Sequence, residues 1–149
     1  MSKKIAIACD HGGYELKKTV LEYLAANGYE AVDFGCYGNA SVDYPDYAVP
    51  ASKAVAGGEC ELGILICGTG IGMSLCANKV HGIRAACCSD TFSARMTRMH
   101  NDANILCIGA RVVGAGLALD IIKLFLETEF EGDRHIARIN KVMAIESEQ

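Results

Sequence analysis

Cys67 closes a short apolar run and is followed at once by alternating glycines, in the order Leu62-Gly-Ile-Leu-Ile-Cys67-Gly68-Thr69-Gly70-Ile71-Gly72. A thiol can act as a base or a nucleophile once it loses its proton. Glycines let the chain turn tightly and bring backbone N–H groups close to a ligand. The next segment, Ile71–Asn78, reads as a helix. Its first turn offers unpaired N–H donors and partial positive charge, which suit an anion or a thiolate. A base beside a cradle of donors fits chemistry that builds negative charge, such as removing a proton next to a carbonyl.

Other readings of the loop fail in part or in full. A P-loop needs Lys-Ser/Thr after its last glycine, where this chain has Met73 and Ser74. A dinucleotide fingerprint needs a third glycine at position 73, although Asp90 stands at a suitable distance downstream, so a dinucleotide-binding reductase stays open as a weak alternative. A cysteine phosphatase needs an arginine soon after Cys67, and the next one is Arg84.

Further polar residues flank the other apolar runs. Asp10 and His11 follow the first, Asp90 the fourth and Arg111 the fifth, while His100-Asn101 precedes the fifth after a helical segment. The reading expects all of them at one edge of a sheet. Each has a plainer alternative. Asp10 could only cap a helix, His11 could be held by loop backbone, and His100 could complement a helix C-terminus. Cys67 could be a packed core thiol. Asp43-Tyr44-Pro45-Asp46 reads as a helix start, with Tyr44 a candidate pocket wall. Arg134 and Arg138, four apart on the last helical segment, share a face that is either solvated or a phosphate clamp.

The elements that must position these residues alternate along the chain. Strand-like runs fall at Lys4–Cys9, Glu30–Phe34, Leu62–Cys67, Ile83–Cys87 and Ile105–Gly109. Helical segments fall at Tyr14–Asn27, Tyr44–Gly57, Ile71–Asn78, Thr91–Met99, Gly114–Glu129 and Gly132–Glu146. This predicts one α/β domain over residues 1–149, a Rossmann-like three-layer sandwich with a five-stranded parallel sheet and helices on both faces. Ligands bind such sheets at the carboxyl ends of the strands. The last helix, about 132–146, has no strand after it. Its apolar face of Ile136, Ile139, Val142 and Met143 needs a surface, its own domain or a partner subunit.

Composition bounds the rest. A net charge of −4 does not favour a nucleic-acid partner. The apolar run after Lys3-Lys4 is too short for a signal-peptide core, and no run approaches a membrane span. Eight cysteines without a Cys-x-x-Cys pair read as free thiols in a cytoplasmic chain with no metal site.

Taken together, the motifs closely resemble the B-type ribose-5-phosphate isomerases, along nearly the whole chain and in the same order. They are Cys-Asp-His-Gly-Gly at 9–13, Asp-Tyr-Pro at 43–45, Cys-Gly-Thr-Gly-Ile-Gly-Met-Ser at 67–74 and Ala-Asn-Lys at 77–79. Gly-Ile-Arg-Ala at 82–85, His-Asn-Asp-Ala-Asn at 100–104, Gly-Ala-Arg-Val-Val-Gly at 109–114 and Glu-Gly-Asp-Arg-His at 131–135 complete the set. The resemblance implies interconversion of ribose 5-phosphate and ribulose 5-phosphate, a step of the non-oxidative pentose phosphate pathway, through an enediolate and without metal or other cofactor. It puts Cys67 in the place of the base. One branch of the family has serine there and a glutamate at the position of Met73, so this chain fits the cysteine branch. Thr69 and the amides of Gly68, Gly70, Ile71 and Gly72 match the enediolate cradle. His100, aided by Asp10, matches the ring-opening group, and Asn101 a sugar contact. His11, Arg111, Arg134 and Arg138 match the phosphate end. The resemblance also implies a homodimer with shared sites, or a dimer of dimers. Allose 6-phosphate or galactose 6-phosphate is the alternative substrate, and a non-catalytic sugar-phosphate-binding module the alternative role.

Overall fold

A computed structural model of the chain describes residues 2–148. The chain runs β1 (Lys4–Cys9), α1 (Tyr14–Ala26), β2 (Glu30–Asp33), α2 (Pro45–Ala56), β3 (Leu62–Cys67), α3 (Ile71–Ala77) and β4 (Ala85–Cys87). It continues with α4 (Thr91–Asn101), β5 (Ile105–Gly109), α5 (Ala115–Glu127) and α6 (Arg134–Ala144), ending in a 3₁₀ turn at Ile145–Ser147. The five strands form one parallel sheet in the order β2-β1-β3-β5-β4. Parallel strands covered on both faces must be apolar throughout. β3 and β5 are buried at every position, which is why they read as unbroken apolar runs.

Side-chain alternation along each strand divides the core in two. Ile5, Ile7, Ile64, Ile66 and Leu106 pack beneath α1, α4 and α5. Ala6, Ala8, Leu65, Cys67 and Cys107 pack beneath α2 and α3. These are the three layers the alternation of elements predicts.

Local chemistry sets the ends of the helices. Asn27-Gly28 stops α1 as the sequence suggests: Gly28 takes φ +80° and Tyr29 N–H donates back to Leu24 O at 3.0 Å. Pro45 opens α2. Asp90 caps α4, accepting a hydrogen bond from Ser93 N–H at 2.6 Å.

One buried charge stiffens the β1–β2 side. Lys17, 1% exposed, reaches Asp33 at 2.8 and 2.9 Å and Cys36 O at 2.6 Å, beneath the Tyr37 ring. No helix is long and apolar enough to cross a membrane among the described residues.

Candidate active site

The strands β1, β3 and β5 end side by side, and the loops that leave them converge. Cys67 pairs in register with Gly109, and Ala110 N–H donates to Cys67 O at 2.8 Å. Arg111 N–H donates to Gly68 O at 3.0 Å. A methyl group built on Gly12 would lie 3.3 Å from both Asp10 Oδ1 and Gly68 N, and 3.6 Å from the Arg111 guanidinium. Asp10, His11, Cys67, Thr69 and Arg111 therefore share one edge, as the sequence predicts.

Cys67 is buried, and Gly70 N–H donates to its Sγ at 3.1 Å. Gly70 itself lies in the left-handed region, at φ +80°, where the chain turns into α3. A side chain there would also meet Ile108 backbone at 2.9 Å and Cys87 Sγ at 3.0 Å. Gly109 is equally constrained, because any Cβ would fall 2.6 Å from the Thr69 carbonyl. Thr69 is exposed at the rim, with Oγ1 accepting from Ile71 N–H at 3.2 Å. With α3 only seven residues long, the site offers the loop amides more than a long helix dipole.

Burial, and then the charge of a Cys67 thiolate, pushes Cys76 and Cys87 up, and burial raises Cys107 well above the ordinary thiol value. They stay protonated at neutral pH.

Asp10 is buried and accepts from Gly12 N–H at 2.9 Å. It does not cap α1, whose N-cap is Gly13 without a side-chain bond, so the plain capping alternative is set aside. Val42 N–H donates to His11 Nδ1 at 3.2 Å. A neutral His11 then carries its proton on Nε2, as a donor for an anionic oxygen. Tyr44 lies over Gly72, where a Cβ would sit 2.8 Å from its ring. It both opens α2 and walls the loop.

His100 and Asn101 depart from the expectation of a single edge. They form the last turn of α4, which descends to the amino ends of the strands before β5 begins. Asn104 O accepts from Gly63 N–H at the start of β3. The four steps from there to Cys67 already rise about 13 Å. A residue that precedes a parallel strand belongs at the opposite edge from one that follows it. The chain thus carries its candidate residues in two groups, one at each end of its sheet.

The second group gathers the remaining candidates. His100, Asn101, Arg138 and Arg84 line a cavity of about 620 Å³ beside α6, whose own wall includes Ile139 and Met143. Thr97 Oγ1 holds the Asn101 side chain at 3.1 Å, and Arg84 binds Asn101 O and Asp102 O. Arg134 and Arg138 are exposed, and among the described residues neither forms an ion pair. Glu131, which could have neutralised them, pairs with His135 instead, at 3.2 Å. His135 was not among the sequence candidates. Of the apolar α6 face, Ile139 and Met143 are half-buried on this chain, while Ile136 and Val142 are left 50% and 53% exposed.

The dinucleotide alternative loses its remaining support. The Asp90 carboxylate that would bind a ribose is engaged as the cap of α4.

Comparison with known proteins agrees with these observations. The sequence profile of the Ribose/Galactose Isomerase family matches residues 5–142. Ribose-5-phosphate isomerase B of Escherichia coli is 49% identical over 144 residues, covering 97% of each chain. The putative sugar phosphate isomerase YwlF of Bacillus subtilis is 56% identical over 140 residues, covering 93% of this chain and 94% of that one. Among solved structures, Clostridium thermocellum ribose-5-phosphate isomerase B superposes with a TM-score of 0.96 at 55% identity, covering 97% and 98% of the two chains. Mycoplasma genitalium ribose-5-phosphate isomerase B with bound ribulose-5-phosphate superposes with a TM-score of 0.95 at 42% identity, covering 100% and 99%. By sequence and by fold, the chain belongs to the ribose/galactose isomerase family.

Proposed function

We propose that this chain is a sugar-phosphate aldose–ketose isomerase that interconverts D-ribose 5-phosphate and D-ribulose 5-phosphate, with Cys67 as the proton-transfer base. The observation that carries the reading is the buried Cys67 sulfur with Gly70 N–H aimed at it, where the β1, β3 and β5 loops meet. Relatives named ribose-5-phosphate isomerase B over nearly their whole length support the substrate.

The proton on C2 of the open-chain aldose is only weakly acidic. The Cys67 thiolate takes it, and electrons move onto the carbonyl oxygen to give an enediolate. The amides of Gly68–Gly72 and the Thr69 hydroxyl stabilise that charge. A proton passes from the C2 hydroxyl to O1, the Cys67 thiol returns its own proton to C1, and the ketose forms with the thiolate regenerated. His11 and Arg111 from the same edge hold the phosphate, and binding at that remote end keeps the reacting carbons in place.

Ribose 5-phosphate is mostly a closed furanose, so its ring must open first. His100 is the acid–base group for that step, with Asp10 assisting and Asn101 on the sugar hydroxyls. Within one chain it is a sheet-length from Cys67. The complete site is therefore built between two copies: the His100, Asn101, Arg134 and Arg138 set of one copy meets the Cys67 set of the other. Arg134 and Arg138, without ion pairs among the described residues, and the exposed Ile136 and Val142 of α6 support this homodimer, or a dimer of such dimers. The free cysteines support a cytoplasmic location.

The test is an isomerase assay with ribose 5-phosphate, allose 6-phosphate and galactose 6-phosphate side by side, in EDTA. Turnover of ribose 5-phosphate at least about tenfold above either hexose phosphate supports the reading. Preference for a hexose phosphate moves the chain to a sister activity, and no turnover of any of the three overturns it.

A further inference from the structure

Among its described residues, helix α6 buries one side chain against its own chain, and that side chain is polar: His135, 4% exposed. Its ring lies flat on the His100 ring, with centroids 4.4 Å apart and planes 17° from parallel. Its Nε2 is 3.2 Å from the Glu131 carboxylate. Glu131 is itself tied to the neighbourhood of His100, because its N–H donates to Met99 O at 3.1 Å. The contacts close a circuit, from the α4 backbone at Met99 through Glu131 and His135 to the His100 ring.

The donor atoms of His100, Glu131 and His135 fall within 4.8 Å of one another, a spacing that invites a metal reading. The ring geometry argues against it. Two imidazoles that bind one ion point their in-plane lone pairs at it and so fan toward a common centre. Nearly parallel stacked rings send those lone pairs out side by side. Stacking restrains something else, the plane of the ring beneath. An imidazole on a helix end turns easily about its side-chain bonds, and a second flat ring held by a carboxylate stops that rotation.

We infer that His135, held by Glu131, is a positioning residue that fixes the plane of the His100 imidazole for opening of the substrate ring. The inference rests on the reading of His100 as the ring-opening group. Asn101 on the same turn has its own restraints from Thr97 and Arg84, so His135 acts on His100 specifically. A flat apolar ring at position 135 should serve nearly as well as histidine. A small side chain should not.

The experiment compares His135→Ala, His135→Phe, Glu131→Ala and His100→Asn in the full-length enzyme. Two readouts are taken for each: kcat on ribose 5-phosphate, and enzyme-catalysed exchange of the C1 proton of ribulose 5-phosphate with solvent. The second needs enolisation only, since the ketose 5-phosphate has no furanose to open. Misplacing a reacting group costs up to about 100-fold, so His135→Ala should lose about 10- to 100-fold in the first readout. Exchange should stay close to wild type. His135→Phe should recover most of the loss, and Glu131→Ala should show a smaller loss with the same split. Equal losses in both readouts, no loss, or a His135→Phe as poor as His135→Ala would each overturn the inference. If His135→Ala does not fold, Glu131→Ala decides, because it leaves the buried ring in place; absence of the split there overturns the inference too. His100→Asn separates the two levels. If it shows no split, the ring-opening reading itself fails; if it shows the split and His135→Ala does not, only the positioning role fails.

Discussion

Cys67 and His100 stand at opposite ends of the same parallel sheet, Cys67 closing β3 and His100 ending the helix that leads into β5. No side-chain rotation joins them within one chain. If both act on one substrate, the active site must be shared, and the arginines of α6 belong with His100.

This gives a complementation test. The Cys67→Ala and Arg138→Ala proteins should each be nearly inactive. Mixed by unfolding and refolding, they form heterodimers in which one site has lost both groups and the other is intact. Activity should reappear in proportion to the heterodimer fraction measured by differential tagging. Verified heterodimers without activity would place Cys67 and Arg138 in the same subunit's site.

Cys67→Ser should keep the fold and lose most of the rate, since a hydroxyl at this position lacks the acidity of a thiol. General-base removal costs about 100- to 10,000-fold. The neighbouring thiols make the matched control. Burial and the Cys67 charge raise Cys87 above its ordinary value, so it remains a protonated thiol at pH 7. Cys87→Ser should therefore leave kcat and its pH profile unchanged. A comparable loss from both serine variants, measured on folded protein, would remove the special status of Cys67.

Much of this was legible in the sequence because the strands of a covered parallel sheet are continuous apolar runs. Lys4–Cys9, Leu62–Cys67 and Ile105–Gly109 have the bounds the sequence suggests. The fourth strand begins two residues later than Ile83, because Arg84 N–H is taken by the Asn104 side chain at 2.8 Å and the ladder starts only at Ala85. Helix α4 runs two residues past Met99, stopping where Asp102 adopts φ +45°. A local pattern does not report a left-handed residue that Arg84 holds from an earlier loop, alongside Arg98 one turn back on α4. The Cys67 loop was legible because its glycines do local work. The His100–His135 stack was not, since the two rings are far apart in sequence and a buried histidine on an otherwise exposed helix has no periodic signature. Lys17 was missed for a similar reason, as a lysine on a helix reads as surface until its partner Asp33 is seen.

Gly70→Ala tests the loop geometry. Alanine must hold φ near +80° there, and its Cβ must push into the Ile108 backbone 2.9 Å away. Backbone strain of this kind costs about 1–3 kcal/mol, and relief would swing the Gly70 N–H off the Cys67 sulfur. The variant should show both a lower urea midpoint and a kcat reduced beyond what lost folded protein explains. Gly38→Ala, where a Cβ meets nothing within 4 Å, should change neither. Wild-type kcat in folded Gly70→Ala would mean that the N–H to sulfur bond is not needed.

Lys17 and Asp33 give the stability prediction. The ammonium is 1% exposed while its carboxylate partner is 27% exposed, so the two deletions are not equivalent. Asp33→Ala leaves a buried charge with the Cys36 carbonyl and the Tyr37 ring face but no counter-charge, and breaking a buried pair costs about 3–5 kcal/mol. Lys17→Met removes the charge and keeps most of the side-chain volume, leaving a carboxylate that water can reach. It should cost clearly less, even though Cys36 O loses its donor. The double variant Lys17→Met/Asp33→Ala should then be more stable than Asp33→Ala alone. Equilibrium urea unfolding of the four proteins closes the cycle. An Asp33→Ala variant no less stable than Lys17→Met would show that the buried ammonium is not what the carboxylate is there to balance.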